Sequence, residues 1–386
     1  MATDTSVKYF HSGMIGAPVL NNAPGSVLAI LRACLCNGFS ATTIDSIKVS
    51  AGIATATISS GMIYPIDSVL LIAGCANAGL NGEKKLATVS TYTATFDATG
   101  IADGTYTGSP ITAKLAPAGW AEVFAGTNIS VFQSLDPKST KCMLRCDDTD
   151  AYSLRVVAYE AMSDINTGAG RVPLESQIPG GGYWAKVRAG SSYAGDAPKA
   201  HPWFVFSDSR VFYFGSAPKM DFPDIAAVYV FGDLKEKIPN DPFAWVLQSG
   251  LLATQSDLSD FTSRFNLNGS SGLFAPRNES GGGASTNITR AALSPVSPGT
   301  YAYGDSTAGF AYPSIRGQGL SAGPVFLYDG SVIGQAPGIL APTCRCGTLA
   351  KLTPFSFTGR KYYAWPLAGG SDGRGSLLFD VTGPWR

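Results

Sequence analysis

Histidine and charge are the scarcest commodities of this sequence. Only two histidines, His11 and His201, occur in 386 residues, and charged residues make up 15%. The 28 basic side chains are matched by 28 acidic ones, so no net field draws the chain toward nucleic acid or an anionic surface. No nucleic-acid partner is expected. No segment approaches the roughly 18 apolar residues of a membrane helix; the longest apolar block, residues 69–73, has the length of a strand. No membrane insertion is expected. Residues 1–10 have neither a basic start nor an apolar stretch of about 7–15 residues, so they do not read as a secretory signal. Synthesis and folding in the cytoplasm follow as the expectation.

Enzyme signatures are missing as well. There is no GxSxG elbow, no phosphate-binding Walker loop, no GxGxxG behind a strand and no HExxH. Gly304-Asp305-Ser306 resembles the GDS block of SGNH-type lipases and esterases. That chemistry needs a histidine base in a downstream DxxH block, whereas both histidines lie upstream. Seven cysteines, at 34, 36, 75, 142, 146, 344 and 346, include no CxxC. Cys142 and Cys146 could face each other on a helix, and the CxC pairs could hold a metal from neighbouring loops. No imidazole sits in ligand spacing, so the simpler reading is buried apolar thiols in a reducing compartment. No metal, no cofactor and no catalytic residue are expected.

What is abundant points to sheet. Glycine (45), proline (24) and 11% aromatics suit many short strands joined by tight turns. The expected fold is mainly β: two to three small β-barrel or β-sandwich domains with an N-terminal arm and one short amphipathic helix. The expected division is arm and helix over 1–43, a small barrel over 44–116, a β domain over 117–268, a Gly/Ser-rich loop over 269–300, and a C-terminal β segment over 301–386 that packs on the middle domain.

Residues 1–22 read as an extended arm. Val27, Ile30, Leu31, Cys34 and Leu35 then recur with helical spacing, and Gly38 supplies a stop. The arm and helix could pack on the chain's own core or dock on a neighbour. From 44 to 115 short β-type runs (47–49, 53–58, 69–72, 86–90, 94–96, 111–115) alternate with turn signals such as Asn81-Gly82 and Asp103-Gly104. The runs IDSVLLIAG (66–74), LNGEKKLATVS (80–90) and TATFDATGIADGTYTGS (93–109) resemble the small β-barrel called the first catalytic cysteine half-domain (FCCH) of ubiquitin-activating enzymes. The resemblance implies a fold and no active-site residue.

In the middle stretch, residues 203–206 and 211–214 form two aromatic, β-branched runs joined by Ser207-Asp208-Ser209-Arg210, a hairpin with a four-residue loop. A further strand is expected at 226–231. Residues 269–300 read as a linker or mobile loop centred on Gly281–Gly283. The tail resumes with strands and closes on Trp385-Arg386, which suggests a carboxyl terminus that is tied down.

Two side-chain groups could carry chemistry. Asp147, Asp148, Asp150, Glu160 and Asp164 could include a glycosidase pair, which needs carboxyls roughly 5–9 Å apart in a groove, or be solvated turn residues with a bound Ca²⁺. Trp203, Phe204, Phe206, Phe212, Tyr213 and Phe214 could form a two-sided core, a subunit interface or a sugar-stacking platform. The candidate interface set is Val27, Ile30, Leu31, Trp203, Phe204, Phe212, Phe214 and Trp385.

Several blocks resemble a broad group of uncharacterised bacteriophage virion proteins: VKYFHSGMIGAPVL (7–20), LAPAGWAEVFAGTNISVFQS (115–134), MLRCDDT (143–149), VVAYEAMSDINTG (156–168), HPWFVFSDSRVFYF (201–214), YVFGD (229–233) and LLFDVTGPWR (377–386). The resemblance spans most of the chain and implies membership of the phage particle. Expected partners are other virion proteins and further copies of this chain. A tail-associated structural role leads, with tail, collar or baseplate left open. A receptor-binding fibre or spike component touching a host surface receptor, a capsid decoration protein, and a polysaccharide-cleaving enzyme are the alternatives.

Overall fold

The structure, a computed structural model, describes residues 3–188, 195–220, 223–224, 227–249, 272–292, 322–342, 350–366 and 376–386. It is mainly β, with strands 48% and helix 5% of the chain. The order of its sheets follows from which strands are apolar on one side and which on both.

Four neighbouring strands, Trp203–Ser207, Val211–Ser216, Ala227–Asp233 and Trp245–Gln248, are buried at every position, as is Leu273–Ala275 beside them. They form the middle of a seven-stranded antiparallel sheet. Lys8–His11 lies at one edge, and Leu273–Ala275 then Thr286–Asn287 at the other. Side chains alternate across a strand, so a strand that is apolar throughout must be covered on both sides. Most antiparallel sheets leave one face to water; this one does not.

The first cover is a five-stranded meander: Trp120–Gly126, Ile129–Ser134, Met143–Asp147, Ser153–Tyr159 and Gly182–Ala185. Its burial alternates, as in Met143–Asp147, where Leu144 and Cys146 are fully buried and the residues between them are half-buried. Trp120 packs edge-on against Phe212, and Trp184 stacks on Tyr229 with centroids 5.2 Å apart. The second cover contains Thr289–Ala292, Ala322–Asp329, Ser331–Pro342, Ser376–Asp380, Arg360–Pro366 and Thr353–Phe357, in that order. It sets Phe379 face to face on Phe206 at 4.3 Å and Trp365 on Phe204 at 4.4 Å. The result is a three-layer stack of sheets. Phe212 and Phe214 face one cover; Phe204, Phe206 and Tyr213 face the other.

Residues 39–115 build a separate pair of sheets. One is ordered Phe39–Ile44, Gly108–Leu115, Val69–Cys75, Gly82–Lys85; the other Thr88–Val89, Thr93–Asp97, Ile53–Thr57, Ser46–Ser50, Gly104–Tyr106. Ile47, Val49, Ala54, Ala56, Ile72, Phe96 and Ile111 are buried between them. The first strand starts at Phe39, so the arm-and-helix segment ends sooner than 43.

The arm is part of the body. Lys8–His11 adds to Trp203–Ser207, Leu20 bridges to His201, and Val7, Tyr9, Phe10 and Leu20 are buried. The helix starts at Ser26 and stays α-helical to Leu31, then widens to a π-helix over Arg32–Asn37. Gly38, at φ +71°, ends it: a left-handed backbone that favours glycine.

Three expectations need correction. Cys142 and Cys146 are at a strand, where residues four apart share a sheet face, and not on a helix. The hairpin after Ser207 is tighter than four residues, because Ser207 pairs with Phe212 and Asp208 N–H donates to Val211 O. Asp208 Oδ1 also accepts from Arg210 and Val211 N–H, which closes the turn. Finally, the described part of the Gly/Ser-rich passage, 272–292, is not a linker. Leu273–Ala275 and Thr286–Asn287 pair within the central sheet across a turn in which Asn278 Oδ1 accepts from Ser280 and Gly282 N–H, and Thr289–Ala292 then joins the second cover. Side-chain hydrogen bonding to backbone stabilises such polar turns without any apolar core.

Candidate functional site

The candidate interface residues all lie inside this chain. Val27, Ile30, Leu31, Trp203, Phe204, Phe212 and Phe214 are 0% exposed and Trp385 is 7%. Their apolar area is consumed within the stack, so they offer no surface to a subunit or a sugar. The two-sided core is what the aromatic runs form. Exposed apolar side chains lie elsewhere, at Ile15 and Val19 on the arm and at Ile53, Tyr92, Leu135 and Ile238.

The acidic cluster is likewise used up by structure. Asp148 is not a solvated turn residue: its side chain and that of Lys186 are both 0% exposed, with Nζ 2.6 Å from Oδ1. Asp148 Oδ2 accepts from the Val27 and Leu28 N–H groups at the start of the helix, where free backbone donors favour an anion. Burial pushes its carboxyl upward against the pull of Lys186. Lys186 also donates to Ala23 O and Asp150 O, both at 3.0 Å. A cation already occupies this cradle, so no Ca²⁺ belongs there. Asp150 Oδ1 accepts from Tyr152 and Ser153 N–H, Asp164 Oδ1 from Asn166 and Thr167 N–H, and Glu160 pairs with Arg277 at 2.5 Å. Asp147 is 3.9 Å from Arg145. Each carboxylate has a structural task.

The buried thiols are held in the neutral form. Burial raises Cys34, Cys142 and Cys146 well above the usual range and Cys36 to about 12, and a neutral thiol is a poor nucleophile and ligand. Among the described residues no group of three His, Cys, Asp or Glu side chains is placed to hold a metal ion. Gly304-Asp305-Ser306, Cys344 and Cys346 lie outside the described residues.

No protein-family model and no curated protein matches the chain.

Two polar centres escaped the sequence reading. In one, Arg386 pairs with Asp208 and donates to Asp233 O, while Asp233 accepts from Arg210 Nε at 2.9 Å and Thr140 Oγ1 at 2.6 Å. Trp385 beside it donates from Nε1 to Asp380 O at 3.0 Å and packs on Tyr213. This tethers the last residues to the central sheet. In the other, Asp67 Oδ2 accepts from Lys361 Nζ at 2.6 Å and Tyr363 OH at 2.5 Å, and Tyr9 OH donates to Ile66 O. It joins the 39–115 module to the arm and the C-terminal sheet. Neither centre has a local signature, since Arg386 and Asp233 are 153 residues apart and Lys361 and Asp67 are 294 apart.

Proposed function

We propose that the chain is a non-enzymatic structural component of a bacteriophage particle, tail-associated and present in several copies that act through subunit contacts. The observation that carries this reading is the three-layer stack: a sheet covered on both faces, with Phe206 on Phe379 at its centre. Close-packed interiors of this kind resist deformation, which is the property a load-bearing subunit needs. The carboxylates that could have supported hydrolysis serve as a helix anchor, turn closures and ion pairs. The virion-like blocks at 201–214 and 377–386 supply the two faces of that central contact. Its formal charges balance over the whole sequence and its arm exposes Ile15 and Val19, which suits contacts that stay apolar and largely independent of salt.

The test is immunogold electron microscopy of intact particles with antibody against the purified chain, alongside mass spectrometry of purified virions. Label confined to the tail supports the reading. Label over the head replaces it with capsid decoration, and no label together with no peptide from the virion overturns it.

A further inference from the structure

We propose that residues 39–115 form a hinged module, clamped to the body by a polar latch that can open while both parts stay folded.

The hinge comes from where the chain enters and leaves. Both sheets of the module contain only strands from 39–115, so no described β-ladder crosses into the body. The two covalent connections lie side by side: Phe39 pairs with Leu115, and a Cβ on Gly38 would sit 2.2 Å from Leu115 O. Lys114 Nζ donates to Asn37 O at 2.6 Å across the same point. Paired, adjacent crossings let a unit turn about one line without breaking its own sheets.

The latch occupies the other two strands at that end of the four-stranded sheet. Asp67 takes a left-handed backbone, φ +66°, which is a mildly unfavourable conformation for a residue with a Cβ. From there its carboxylate accepts from Lys361 and Tyr363. Beside it Glu83 pairs with Lys8 at 3.0 Å, and Lys85 Nζ donates to the carbonyls of Val381 and Thr382. Body-side partners therefore come from three remote segments: the arm, residues 361–363 and residues 381–382. The Asp67–Lys361 and Lys8–Glu83 pairs keep one partner about a third exposed, at 34% each, so water and salt compete for them. The buried apolar residues of the module and the body meet in one cluster, and the ring contact that crosses the junction, Phe10 on Phe39, lies next to the hinge, where it permits pivoting. This inference does not depend on where in a particle the protein sits.

The test is hydrogen exchange with mass spectrometry, plus small-angle X-ray scattering, on the full chain and on the Asp67→Ala/Glu83→Ala variant. The expected result is exchange at least tenfold faster in 66–70 and 361–363, a larger maximum dimension, and unchanged exchange in 211–216. Exchange within twofold of the parent at both segments, in a folded variant, overturns the proposal. Should that variant not fold, the unaltered chain is followed from low salt to molar NaCl. Faster exchange at the same two segments supports the latch; exchange that ignores salt refutes it.

Discussion

The ammonium of Lys186 sits 2.6 Å from Asp148 Oδ1, and neither side chain is exposed at all. Asp148 holds the start of the helix through Val27 and Leu28 N–H, and Lys186 holds Ala23 O just before it. One buried pair thus fastens the end of the arm to the meander sheet.

Removing one member leaves the other buried without its counter-charge. Lys186→Met is expected to lower stability by about 3–5 kcal/mol, read as a shift in the urea midpoint. A double variant, Lys186→Met/Asp148→Asn, should recover part of the loss because no isolated charge remains. If the double variant falls by the sum of the two single losses, the pair is not coupled.

His11 makes the fold sensitive to mild acid. Its Nδ1 accepts from Gly13 N–H, and burial, with Lys351 adding to it, lowers its pKa from 6.5 to about 4. Below pH 6.5 the unfolded chain binds a proton that the folded chain refuses until about pH 4. The stability is therefore fully present above pH 6.5 and declines as pH falls toward 4, by about 2 kcal/mol after allowance for partial exposure. His11→Gln should flatten that part of a stability-versus-pH curve; an unchanged slope would show that other groups cause it.

Gly215 is required by its neighbour across the ladder. It pairs with Phe204, whose ring would lie 2.1 Å from a Cβ at 215. Trp365 at 4.4 Å and Phe379 at 5.2 Å hold that ring in place. Gly215→Ala should destabilise by about 1–3 kcal/mol through overpacking, and calorimetry showing an unchanged Tm would contradict it.

The stacked pair Phe206 and Phe379 should outweigh any exposed apolar residue. Phe206→Ala is expected to lose about 3–5 kcal/mol. Ile53→Ala, at a side chain 56% exposed, should stay within about 0.5 kcal/mol. Equal losses in chemical denaturation would refute the three-layer reading of the core.

Local pattern was enough to determine the β class, the short helix ending at Gly38, and the aromatic hairpin around 203–214, because strand alternation, helical spacing and turn residues act over a few positions. It also showed that the aromatic runs were apolar on both sides, and left a two-sided core, a subunit interface and a sugar platform open for them. It could not say what covers them. Trp120 and Trp184 cover one face; Trp365, Phe379 and Trp385 cover the other. That choice depends on strands distant in sequence. The polar centres depend on it still more. Asp148, read as a solvated turn residue, meets Lys186 only when the meander closes, and Asp67 meets Lys361 across 294 residues. A charge carries no mark in sequence of whether it will be hydrated or paired. Burial makes the difference, and burial is a property of the assembled sheets.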